Sequence, residues 1–197
     1  MANFGERIAY WYLRLQGFLL VEDFVLHSGG QVDRTADADL LAVRHMYSEE
    51  EIAGQVLRPD TCLGKQLAAM KRNIGLIVQV KTGTESSAGR AFEHERLIYA
   101  LRFLGVAPRG QVNALATTLG EKLSVECEPN WTIAKLLIAE APTDDGALRV
   151  PLNEALAFIR GRLALHGDRK SADRLSFHDE LMQFLAWSAS NSDGRGR

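Results

Sequence analysis

With two cysteines in 197 residues, Cys62 and Cys127, the chain can build neither a disulfide framework nor a four-thiolate zinc site. Proline (5) and glycine (17) are not in excess, which excludes collagen-like and low-complexity architectures. Wholesale disorder is excluded too, because 46% hydrophobic residues can supply a core and 24% charged residues are an ordinary surface allotment. No apolar run reaches the ~18 residues of a membrane span, since Arg, Glu or Asp interrupts each candidate. Glu6, Arg7 and Arg14 occupy what a signal peptide would need as its apolar region. The expectation is a reduced, cytoplasmic setting with no membrane partner. The net charge of −2 excludes a globally basic nucleic-acid binder, so phosphate recognition would need a local basic patch or metal ions.

Periodicity then gives the organisation. Ile8, Trp11, Tyr12 and Leu15 recur at helical spacing, which predicts a helix over Phe4 to Gln16, stopped by Gly17. Phe18 to Leu26 and Ala38 to Val43 read as strands. An acidic excursion with Glu49-Glu50-Glu51 follows, then a short helix near Lys65 to Lys71. Ile74 to Lys81 is the clearest strand, and its apolar run fits a central position covered on both faces. A helix over Arg90 to Leu104, strands near Leu123 to Cys127 and Ala134 to Ala139, and helices over Pro151 to His166 and Phe177 to Trp187 complete the pattern. It predicts an α/β fold with a three-layer core, divided as 1–109 (core), 110–187 (a C-terminal α/β extension packed on the core) and 188–197 (a disordered tail).

The residues that carry chemistry are those that break the apolar pattern. Gln79 and Lys81 project from one face of their strand and Val80 from the other. A lysine at the end of IGLIV needs a partner or a job, and Asp39, in a second apolar strand, faces the same demand. Each has a plainer reading. Glu6 can be the return half of a capping box with Asn3, and Asp39 can be a turn residue or half of an ion pair with Lys81. Gln79 can be an ordinary strand residue, and Lys81 can snorkel to water. The five histidines show no metal-ligand spacing.

Taken in order, Gly5-Glu6-Arg7-Ile8-Ala9, Leu13, Gly17-Phe18, Asp39-Leu40-Leu41-Ala42 and Gln79-Val80-Lys81 resemble the PD-(D/E)xK nuclease superfamily, and its Holliday-junction-resolvase-like branch in particular. Those proteins open with a Gly-Glu helix, place an Asp on a strand and Glu-x-Lys on the next strand. The resemblance covers residues 4–105 and implies a restriction-endonuclease-like core with a central mixed sheet flanked by helices. It implies a metal-dependent endonuclease, a hydrolase of phosphodiester bonds in nucleic acid, above all DNA, using Mg²⁺ or Mn²⁺. Asp39, Gln79, the Val80 backbone carbonyl and Glu6 would hold the metal, a set of oxygen donors that suits a hard cation. Lys81 would orient or help deprotonate the attacking water and offset charge on the phosphate. Asp37 is the fallback ligand. The literal Pro59-Asp60 is set aside because a polar, helix-like stretch follows it. Gln79 departs from the family's Glu, which weakens metal affinity, and the forty positions between Asp39 and Gln79 imply an insertion.

Charge adds a weaker pointer. Residues 22–60 hold nine acidic and three basic side chains, whereas 149–174 hold six basic and three acidic. Arg160, Arg162, Arg169 and Lys170 are thereby candidates for contacting phosphates, with a solvated helix surface as the alternative. The resemblance also admits a homodimer, in which two sites address two strands. The competing functional reading is an inactive nuclease-fold module that binds nucleic acid or a protein partner.

Overall fold

Helix α1 (Phe4–Arg14) starts where the sequence supplies a complete N-terminal signal. The Asn3 side chain accepts the Glu6 N–H, and the Glu6 carboxylate reaches back to Asn3, so two otherwise orphaned donors are satisfied. Ile8, Ala9, Tyr12 and Leu13 form its buried stripe. Gly17, at a φ of 84°, then makes the turn into the sheet, a conformation that other residues adopt at a cost. The computed structural model describes residues 3–25, 37–52, 55–67, 71–83, 91–143, 146–165 and 179–192.

Strands β1 (Leu19–Val25), β2 (Asp37–Arg44) and, beyond the two-stranded hairpin β3 (Glu50–Ile52) and β4 (Gln55–Leu57) and the short helix α2 (Thr61–Gln66), β5 (Asn73–Lys81) form an antiparallel meander in the sheet. Helices α3 (His94–Leu104) and α4 (Val112–Glu121) lead to β6 (Ser124–Cys127) and β7 (Trp131–Ala139). Strand β7 lies parallel to β5, from Asn73 beside Trp131 to Lys81 beside Ala139. The outer flank of β7 is shared, with β6 on its first half and β8 (Leu148–Pro151) on its second. Helices α5 (Leu152–Ala164) and α6 (Glu180–Ser192) follow.

Alternation turns the core side chains to two faces of the sheet. Leu76, Val78 and Val80 of β5 join Leu136 and Ile138 of β7 beneath α1, α5 and α6, through Ile8, Leu13, Ile159, Met182 and Leu185. Ile77 turns the other way and meets Leu97, Leu101, Leu115 and Leu119 of α3 and α4. The result is the expected α/β architecture, a mixed sheet between helical layers. Among the described residues no helix is long and apolar enough to cross a membrane.

Several boundaries differ from expectation. The helix expected near Lys65 to Lys71 is α2, which starts directly after Asp60 and ends at Gln66. The acidic excursion, for which periodicity predicts no element, contains one strand of the β3–β4 hairpin. The disordered tail expected from Ser188 is corrected at its start, because α6 continues through Ser192. Serine, alanine and asparagine are tolerated in a helix, and no glycine or proline occurs before Gly194. Residues 193–197 lie outside the described ones. The boundary expected at 109/110 falls between α3 and α4, and β7, beyond it, lies beside β5 within the same sheet.

Candidate functional site

The ladder between β2 and β5 runs from Arg44 opposite Ile74 to Leu40 opposite Val78. One residue further on, a side chain takes over from the backbone pairing. Asp39 Oδ2 accepts the Val80 backbone N–H at 2.5 Å and the Gln79 Nε2–H at 2.5 Å. Asp39 is half-buried and Gln79 is only 7% exposed, so the pair sits at the edge of the core. Lys81, half-buried, ends the strand, and alternation puts it on the face that Gln79 occupies. Residues forty apart in sequence thus meet where two central strands stop pairing.

The helices locate this end of the sheet. Phe92, just before α3, packs against the cluster of Leu137, Ala139 and Ala147, whose two β7 members are in register with Gln79 and Lys81. At the opposite end of β5, a Cβ on Gly75 would lie 3.6 Å from Leu104 and 3.7 Å from Val106, residues at the close of α3. Helix α3 therefore runs back along β5, and its first turn lies over the Asp39–Gln79 end. Arg96 belongs to that turn and is buried. Sequence reasoning missed it. The available signal was a cation at an inward position of the stripe it forms with Leu97, Ala100 and Leu101. Lys135 was missed in the same way. It is buried on β7, donates to the Gly120 carbonyl at 3.0 Å near the end of α4, and lies 5.9 Å from the Phe92 ring centroid. Burial pushes its ammonium below the usual lysine range.

Glu6 is at the same end of the sheet but in the other helical layer. A Cβ on Gly5 would lie 2.3 Å from Thr82 Cγ2 and 3.4 Å from Val80 Cγ1, so the start of α1 is pressed against the end of β5. Both Glu6 carboxylate oxygens are held by Asn3, at 2.6 Å from its Nδ2 and 2.9 Å from its backbone N. The capping role is thus the one observed. Asp37 is in β2 opposite Val25, and its side chain lies outside the described residues. Asp60 is engaged elsewhere. It accepts the Tyr12 hydroxyl at 2.6 Å and gives its backbone N–H to Gln16 Oε1 at 3.0 Å, tying α2 to α1. Burial, reinforced by Asp60, pushes the Tyr12 hydroxyl far above the usual phenol range.

The basic candidates separate. Arg160 is exposed on α5. Arg162 is corrected from surface to interior: it is buried, donates to the Arg58 carbonyl and stacks 4.9 Å over the Phe158 ring. Helical spacing turns it inward, three residues from Ile159, and burial lowers its pKa. Arg169 and Lys170 lie outside the described residues.

Among the described residues, no three or more His, Cys, Asp or Glu side chains gather as a metal-binding group. The donors that do converge are the Asp39 carboxylate, the Gln79 amide and the Val80 backbone. All can present oxygen, which suits Mg²⁺ or Mn²⁺ in kind, while one formal negative charge makes for weak binding. The Gln79 amide now presents its N–H to Asp39. Turned over, it would present Oε1, and two acceptors face each other only with a cation or a proton between them. No family model matches the chain, and neither does any curated protein or solved structure.

Proposed function

We propose that the chain is a metal-dependent nuclease that hydrolyses phosphodiester bonds, in DNA before RNA. The observation that carries this reading is the meeting of Asp39 with Gln79 at the point where β2 and β5 stop pairing, two residues before Lys81. Two features support a restriction-endonuclease-like core. One is the layered sheet. The other is the order of a Gly5-Glu6 helix, an Asp39 strand and a Gln79-x-Lys81 strand that is its neighbour in the sheet.

Asp39, Gln79 through Oε1 and the Val80 carbonyl would hold the cation. A bound Mg²⁺ or Mn²⁺ supplies Lewis-acid polarisation of the phosphoryl oxygen and a water of lowered pKa. Asp39 does two jobs in this scheme: it provides the formal charge, and it fixes the Val80 N–H so that the end of β5 keeps its shape. Gln79 orients its amide within the buried edge, where rotation about the terminal torsion exchanges donor for acceptor. Lys81 brings three N–H donors to the same face, to align the attacking water and offset charge accumulating on the non-bridging oxygens.

The second reading, a nuclease-fold module that binds without cleaving, is favoured by one feature. Asp39 Oδ2 is already satisfied by two N–H donors from β5, as a purely structural carboxylate would be. Cleavage assays separate the two. Labelled single-stranded, duplex and branched DNA and RNA substrates are incubated with Mg²⁺ or Mn²⁺. Asp39→Ala and Lys81→Ala are each expected to abolish cleavage while circular dichroism stays native. Undiminished cleavage by either folded variant discards the assignment, and metal-independent binding without turnover by the wild type selects the module.

A further inference from the structure

We propose that Arg96 is a phosphate-binding residue, gripping an oxygen of the nucleic-acid strand together with the amides at the start of α3. The identity of the anion rests on the nuclease reading; the anion site itself does not. Arg96 is 5% exposed, and among the described residues its Nη1 is buried without a hydrogen-bond partner. A guanidinium carries five donors, and burying it with any of them idle is costly. Its ion pair is with Glu93, 3.8 Å from Nε, and the Glu93 side chain is 54% exposed, so the pairing is long and screened.

The position compounds the cost. Arg96 lies in the first turn of an eleven-residue helix, the end whose partial positive charge disfavours a cation. Glu93 stands at the N-cap but makes no side-chain cap bond, while its carbonyl takes the Arg96 and Leu97 N–H groups. The His94 and Glu95 amides thus receive no cap from it. His94 and Glu95 are themselves exposed, and the acidic side chains of this turn, Glu93 and Glu95, face solvent. An anion at this point satisfies the guanidinium and the helix end together, which is how helix N-termini hold phosphate. The same turn lies over the end of the sheet where Asp39 and Gln79 meet, because Phe92 packs on the cluster of Leu137, Ala139 and Ala147, whose two β7 members are in register with Gln79 and Lys81. A phosphodiester held by Arg96 would therefore lie at the end of the sheet where the proposed hydrolysis takes place.

The test is an amide NMR titration of the full chain with inorganic phosphate, followed by binding of a short labelled oligonucleotide across a salt series. In the wild type, saturable shifts are expected at the His94, Glu95 and Arg96 amides and at the Arg96 Nε–H, and Arg96→Gln is expected to lose them. The same variant should weaken oligonucleotide binding about tenfold and flatten the log K against log salt slope by roughly 0.7–0.9, the share of one phosphate contact. Arg96→Lys, which keeps the charge without the fork, should fall between the two and stands in if Arg96→Gln does not fold. Absence of saturable shifts in the wild type overturns the proposal, as do unchanged shifts in a folded Arg96→Gln. Phosphate shifts that persist in a chain cleaving no substrate reject the nuclease reading and leave the anion site standing.

Discussion

Replacing Gln79 by Glu exchanges the N–H donor that meets Asp39 at 2.5 Å for a second carboxylate in the same place. Two unit charges about 4 Å apart repel by about 4 kcal/mol at an effective dielectric of about 20. The chain has a way out, which is to bind one proton between the two groups. Holding that proton near pH 7 against an ordinary glutamate value of about 4.3 costs about 3.7 kcal/mol at about 1.36 kcal/mol per unit. A protonated carboxyl at position 79 would restore a donor toward Asp39, so the loss should level off near 4 kcal/mol. The sign follows from linkage. The folded-state pKa is raised, so the native state binds more protons than the unfolded state. The deficit of the variant is absent below about pH 4 and grows as pH rises toward the raised folded value. Urea denaturation of both proteins in chelator at a series of pH values reads this out. Mn²⁺ or Mg²⁺ then replaces the proton: at a hundred times its dissociation constant it should return about 2.7 kcal/mol to the variant. Metal binding by Gln79→Glu should be at least as tight as that of the wild type by isothermal titration. A variant as stable as wild type near pH 7, indifferent to pH and to metal, refutes the idea that Asp39 and residue 79 share one site.

Two further outcomes concern the scaffold that holds the site. Tyr12→Phe should cost about 1.5–3 kcal/mol at neutral pH, because it removes a buried hydroxyl donating to the Asp60 carboxylate. That difference should shrink by about 1.4 kcal/mol per pH unit above pH 10, where the unfolded phenol ionises and the folded one does not; a difference that stays flat between pH 8 and 11 would show that Tyr12 is not held protonated. Gly5→Ala should lose about 1–2 kcal/mol, since its Cβ would fall 2.3 Å from Thr82 Cγ2. Most of that loss should vanish in a Thr82→Ser background, and an equal loss in both backgrounds would place the clash elsewhere.

The elements legible in the sequence were those whose signal is local. Asn3 and Glu6 announce the start of α1, and the apolar run from Ile74 announces a central strand, because capping and alternation depend on residues a few positions apart. The β3–β4 hairpin was hidden because its strands, the acidic Glu50–Ile52 and the uncharged Gln55–Leu57, are three residues each and pair with each other instead of joining the main sheet. At the site, alternation along one strand was enough to put Gln79 and Lys81 on the same face. That Asp39 reaches Gln79, and not merely its own turn, depended on the register of β2 against β5, and a one-residue slip would have sent it to the opposite layer. Arg162 and Arg96 show the same limit from the other side. A charged residue in a helix reads as solvated until packing fixes which face turns inward, and only tertiary contacts made one a stacked interior group and the other a buried guanidinium at a helix start. The chain's own chemistry therefore settled which elements form and which residues are unusual within them. Which of those residues meet was decided by strand pairing and helix direction, because contacts across forty positions are set by the global arrangement and leave no trace in any local pattern.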